Sequence, residues 1–236
     1  MKRKIFLIRH AEPELPVRKI YLGHLDLPLS PTGVQQTEKL AKGLRSEKLT
    51  GIFCSDLLRA EQTAQILAVS QNLEITRCPE LREINLGKWE GKSLEEIRDN
   101  YPEEYARRGA NIVTYCPPGG ESFADLRERV WPFFNELIAT TTGNIAIVSH
   151  KGVLRVILCS LANIPLDQLF TFQQNYSCVN ILEQDQSGIK IMSVNCVYEE
   201  TKTGENPQEL TESVNDNMKL RRKAWKKKLF KDSEPL

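Results

Sequence analysis

The chain has 236 residues, 40% of them apolar and 27% charged, with a formal net charge of +1. That length suits one large domain, or a domain with a subdomain, and permits a sizeable core. The balanced charge excludes a protein dominated by nucleic-acid or membrane electrostatics, and no apolar run approaches the roughly 20 residues of a membrane span, so neither a nucleic-acid partner nor a transmembrane segment is expected.

The first strand begins almost at the N-terminus, which leaves no room for a signal peptide. The six cysteines, Cys54, Cys78, Cys116, Cys159, Cys178 and Cys196, are widely spaced, with no C-x-x-C pair and no neighbouring histidines. They read as reduced core residues of a cytoplasmic protein without a metal site. In chain order, the unbroken apolar run Ile5-Phe6-Leu7-Ile8 predicts a strand buried on both faces of a mostly parallel sheet. It delivers Arg9 and His10 to the carboxyl end of the strand, where α/β folds gather ligands. A guanidinium beside an imidazole suits phosphate, because arginine grips oxyanions and a neutral histidine can attack phosphorus or carry a proton. The proline-rich stretch that follows predicts a long loop, and Arg18, Gly23 and His24 on it are secondary binding candidates.

Ser30-Pro31 predicts a helix start, with Val34, Leu40, Ala41 and Leu44 along one face and an end near Glu47. Gly51–Ser55 reads as a second buried strand and Asp56–Val69 as the helix leaving it, with Arg59 in the first turn, where free N–H groups already favour anions. Leu73–Cys78 reads as a strand, and residues 79–91 as a fixed turn with Trp89 as an aromatic plug and Glu83 leading into it. From Ser93 to Ile138 the pattern is helical, broken at Cys116–Gly120, which predicts a helical lobe over the carboxyl edge of the sheet that shapes a substrate pocket. Asn144–His150 repeats the opening theme of an apolar strand ending in a histidine, and Lys151-Gly152 opens the next helix. Ser177–Glu183 and Ile189–Val197 predict a hairpin. Residues 201–217 are polar and residues 218–231 carry a dense basic run, while Val214, Met218, Trp225 and Leu229 fall at helical spacing. We read this as a terminal helix with Trp225 laid on the domain, in preference to a surface for an anionic partner or membrane.

The segments LIRHAEP, YLGHLDLPLSPTG, SDLLRAEQTA, LREINLGKWEG, GGES and IVSHKGVLR, in this order, resemble the histidine phosphatase superfamily from about Lys4 to Val197. The resemblance implies a three-layer α/β/α, phosphoglycerate mutase-like domain over residues 1–200, with the lobe at about 93–138 and an appended 201–236 segment. It implies a metal-independent phosphomonoester hydrolase, needing no cofactor, that acts on a small phosphorylated metabolite through a phosphohistidine intermediate. His10 would be the nucleophile, Arg9, Arg59 and His150 would bind phosphoryl oxygens, and Glu83 would be the proton donor. Arg18, Gly23, His24, Lys151 and Gly152 would complete substrate binding, with a homodimer as one assembly open to the chain. Ala11 stands where the family usually has glycine, and Pro16 near where many members carry an asparagine. The turn LREINLGKWEG is closer to the phosphatase branch, with α-ribazole phosphatases among its members, than to the mutases. A 2,3-bisphosphoglycerate-dependent phosphoglycerate mutase is the alternative enzyme, and a non-catalytic phosphate-binding regulatory module the alternative of another class.

Overall fold

The computed structural model describes residues 2–16 and 20–197; Arg18 and the whole of 201–236, including the expected basic helix, lie outside the described residues. Six strands, β1 (Arg3–Arg9), β2 (Leu49–Cys54), β3 (Ile75–Arg77), β4 (Asn144–Ser149), β5 (Val179–Asp185) and β6 (Gly188–Cys196), form one sheet in the order β3-β2-β4-β1-β5-β6. The four strands β3, β2, β4 and β1 are mutually parallel, and the β5–β6 hairpin adds antiparallel to β1. The described residues form six α-helices: α1 (Pro31–Leu44), α2 (Leu58–Gln71), α3 (Leu94–Asn100), α4 (Pro102–Ala110), α5 (Phe123–Thr140) and α6 (Lys151–Ala162).

Because side chains alternate along a strand, β1 feeds two cores. Phe6 and Ile8 pack with Ala146 and Val148 against Leu40 and Leu44 of α1 and Ala64 and Leu67 of α2. Ile5, Leu7, Ile145 and Ile147, all buried, turn to the opposite face, where α5 and α6 pack together. This is the mostly parallel α/β sheet expected from the unbroken apolar runs.

Two local expectations are corrected. Val34 is exposed, and the buried stripe of α1 is Gly33, Thr37, Leu40, Ala41 and Leu44. The helix start presses on the chain just after β1, where a Cβ at position 33 would overlap the carbonyl of Glu12. The 93–138 block also divides: α3 and α4 pack on each other, whereas α5 runs beside α6 as a layer helix whose buried Leu126, Val130 and Phe134 belong to the main core.

Candidate active site

Parallel pairing of β1 with β4 sets Arg9 opposite Ser149, so His10 and His150 emerge side by side at the carboxyl ends of adjacent strands. The His10 N–H extends the ladder to the Ser149 carbonyl, and the two ring centroids lie 5.0 Å apart. Both residues are buried. The Nδ1 atom of His10 is 2.7 Å from its neighbour Ala11 O. A carbonyl only accepts, so Nδ1 carries the proton and the lone pair sits on Nε2. Burial, followed by the charges of Arg59 and Arg9, holds the His10 imidazole well below its ordinary range, and burial with Arg59 does the same for His150. Ala11 is not among the residues at positive φ, so alanine replaces the usual glycine without strain.

Arg59 sits in the first turn of α2 and is fully buried, its Nη1 and Nη2 donating to the carbonyls of Leu25 and Gly23 at 2.8 Å each. Arg9 donates from Nη1 to the Gln174 carbonyl at 2.7 Å, and its guanidinium stacks 3.8 Å from the centroid of the Tyr176 ring. These contacts leave Arg9 Nε, Arg59 Nε and both ring nitrogens of His150 buried without a partner among the described residues. Such groups are costly unless a polar ligand meets them. All four atoms, on three residues, sit at strand ends or in a first helical turn, around the His10 ring.

Glu83 approaches from the turn after β3. Its carboxylate oxygens accept from the Gly152 N–H at 3.0 and 3.1 Å, at the positive start of α6. A Cβ at Gly152 would overlap Glu83 Oε1, so Gly152 holds the acid, and it lines the pocket as well. His24, expected to bind substrate, is reassigned: its Nε2 lies 2.8 Å from the Glu83 main-chain carbonyl, to which it donates, and it does not line the pocket. Gly23 and Lys151 do line it. Gly23 needs its freedom, with φ of +50° and Glu90 packed where a side chain would go.

The pocket above His10 has a volume of about 550 Å³ and is lined by Arg9, Arg59, Arg108, Lys151 and Arg155 as cations and by Glu83 as its acid. Tyr105, Phe123, Phe170 and Tyr176 supply aromatic walls. Three residues of the site and its supports were missed in the sequence. Tyr176 and Gln174 stand in an irregular stretch with no periodicity, whereas Arg155, a lone cation in the apolar run of α6, carried a readable signal. Pro16 is exposed, and Tyr21 lines the pocket. Among the described residues, no group of three or more His, Cys, Asp or Glu side chains is placed to hold a metal ion, and no helix is long and apolar enough to cross a membrane.

The adenosylcobalamin/alpha-ribazole phosphatase of Salmonella typhimurium is 29% identical over 198 residues, which span 83% of this chain and 98% of that protein. Phosphoserine phosphatase 1 of Hydrogenobacter thermophilus is 31% identical over 193 residues, or 81% of this chain and 92% of its own length. The crystal structure of the alpha-ribazole phosphatase from Shigella flexneri superposes with a TM-score of 0.77 at 27% identity, covering 85% of this chain and 100% of that one. The model of the histidine phosphatase superfamily (branch 1) matches residues 5–197, and the chain belongs to that family.

Proposed function

We propose that this chain hydrolyses phosphomonoesters of small metabolites through a phosphohistidine at His10. The observation that carries the reading is the convergence of His10, His150, Arg9 and Arg59 at the ends of adjacent strands. Phosphoryl transfer needs positioning and electrostatic support around the equatorial oxygens: the Nε groups of Arg9 and Arg59 supply charged donors, and the neutral ring of His150 supplies an N–H. The neutral His10 attacks through Nε2, forming the P–N bond as the ester P–O bond breaks, and Glu83 gives its proton to the departing oxygen. In the second step Glu83 takes a proton from water as that water attacks phosphorus, and the P–N bond breaks to release inorganic phosphate. Acid–base help of this kind is worth about 10²–10⁴ in rate.

The cationic, aromatic-walled pocket supports a substrate whose organic part carries further anionic or hydrogen-bonding groups beside flat apolar surface, with Lys151 and Arg155 as its binding residues. Free cysteines throughout the described residues support a cytoplasmic setting. The test of the reaction is hydrolysis of p-nitrophenyl phosphate in the presence of a metal chelator, with acid quench of the mixture. Turnover that survives chelation, an acid-labile phosphoenzyme, and loss of both in His10→Ala are expected; turnover by His10→Ala at the wild-type rate would overturn the reading.

A further inference from the structure

We infer that His24 is a positioning residue for the general acid, acting on Glu83 through its main chain; this rests on the role proposed above for Glu83. The loop carrying His24 is fixed on both sides of the phosphate site. The carbonyls of Gly23 and Leu25, its two neighbours, hold the Arg59 guanidinium. The His24 N–H donates to Glu90 Oε1 at 2.7 Å, and that same oxygen accepts from the Leu86 N–H at 3.1 Å, so the backbone is pinned to the turn that follows Glu83. From that fixed position the ring donates from Nε2 to the Glu83 carbonyl. The only other side chain hydrogen-bonded to this carbonyl among the described residues is Arg129, longer at 3.2 Å and shared with the carbonyls of Glu80 and Arg82. His24 thus bridges the arginine that grips the phosphoryl group and the carboxyl group that protonates the leaving oxygen. Displacement of a catalytic group by about 1 Å can cost 100-fold in rate, so a tie that sets the distance between these two groups matters specifically when the leaving group needs a proton.

That condition supplies the test. Phenolate is a much poorer leaving group than 4-nitrophenolate, so phenyl phosphate depends on the acid far more than 4-nitrophenyl phosphate does. We expect His24→Leu to lower kcat/KM for phenyl phosphate about tenfold more than for 4-nitrophenyl phosphate, a fraction of the full acid contribution. His24→Gln, whose amide nitrogen reaches the place of Nε2, should restore most of the ratio. Glu83→Gln should show the same selectivity in larger degree. Loss of folded protein or of phosphate affinity lowers both substrates together and leaves the ratio alone, so an equal fall in His24→Leu overturns the inference. If Glu83→Gln itself shows no preference between the two esters, the role of Glu83 fails instead; if Glu83→Gln is selective and His24→Leu is not, only the role of His24 falls.

Discussion

His10 and His150 are held neutral by burial and by the arginines beside them, and this has a consequence for stability as well as for nucleophilicity. In the unfolded chain each imidazole titrates near its ordinary value of about 6.5. Below that pH the unfolded state binds more protons than the folded one, so stability is complete above about pH 6.5 and is lost as pH falls, by up to about 1.4 kcal/mol per pH unit for each ring. His10→Asn and His150→Asn remove one titrating ring each while keeping size and polarity. Urea unfolding between about pH 7 and about pH 5.5 should therefore give a shallower loss of stability in each variant than in the wild type. Identical slopes in all three proteins would contradict the neutral-histidine account. These residues were legible in the sequence because each ends an apolar strand, and Arg59 because it opens a helix. Tyr176 was not, since an aromatic in an irregular stretch is placed only by the fold that brings it over Arg9. His24 was legible as functional but not in kind: a loop histidine reads the same whether it faces a ligand or a carbonyl.

At the scale of elements, α2 is the helix that presents Arg59, yet its N-cap, Leu57, offers no capping side chain. Asp26, from the loop after β1, caps it instead, accepting from the Leu58 N–H at 2.6 Å. One contact thus fixes both the helix that carries Arg59 and the loop whose carbonyls orient it. Asp26→Ala should cost about 1 kcal/mol of stability, in the ordinary range for a lost cap. It should also raise KM for p-nitrophenyl phosphate severalfold, because Gly23 and Leu25 then hold Arg59 less firmly. Asp26→Asn keeps an acceptor and should stay near wild type in both measurements; a normal KM in Asp26→Ala would separate the cap from the site. A cap given from a distant loop has no signature in local sequence, which is why the start of α2 was readable only from its apolar pattern and placed slightly early. The division of the 93–138 block was hidden for a related reason. Helical periodicity marks α5 as amphipathic, but only its partner, α6, assigns it to the layer and not to the lobe.

Across the whole molecule, the parallel strands carry the histidines, and the antiparallel β5–β6 hairpin is joined to them through a buried amide. Asn180 exchanges two hydrogen bonds of 2.8 Å with the side chain of Gln174, donates to the Leu7 carbonyl at 3.1 Å and accepts from the Asn195 N–H at 3.0 Å. It therefore ties β1, β5 and β6 to the segment whose main-chain carbonyl at Gln174 stops Arg9. Asn180→Ala strands the buried Gln174 amide and removes the acceptor of the part-buried Asn195 N–H, at roughly 1–3 kcal/mol for a buried group left unpaired. We expect a total loss of about 2–4 kcal/mol, read by urea unfolding. Because Gln174 is freed at the same time, inhibition by vanadate, a mimic of the transferring phosphoryl group, should weaken about fivefold or more, on the scale of a lost hydrogen bond to a charged group. Leu44→Ala, a cavity in the α1 face of the core, supplies the comparison, since it should cost a similar 2–5 kcal/mol without touching the Arg9 support. If the hairpin merely adds stability, both variants should keep wild-type vanadate affinity in the folded fraction. If it braces the arginine, only Asn180→Ala should lose it, although the two proteins unfold at comparable urea concentrations.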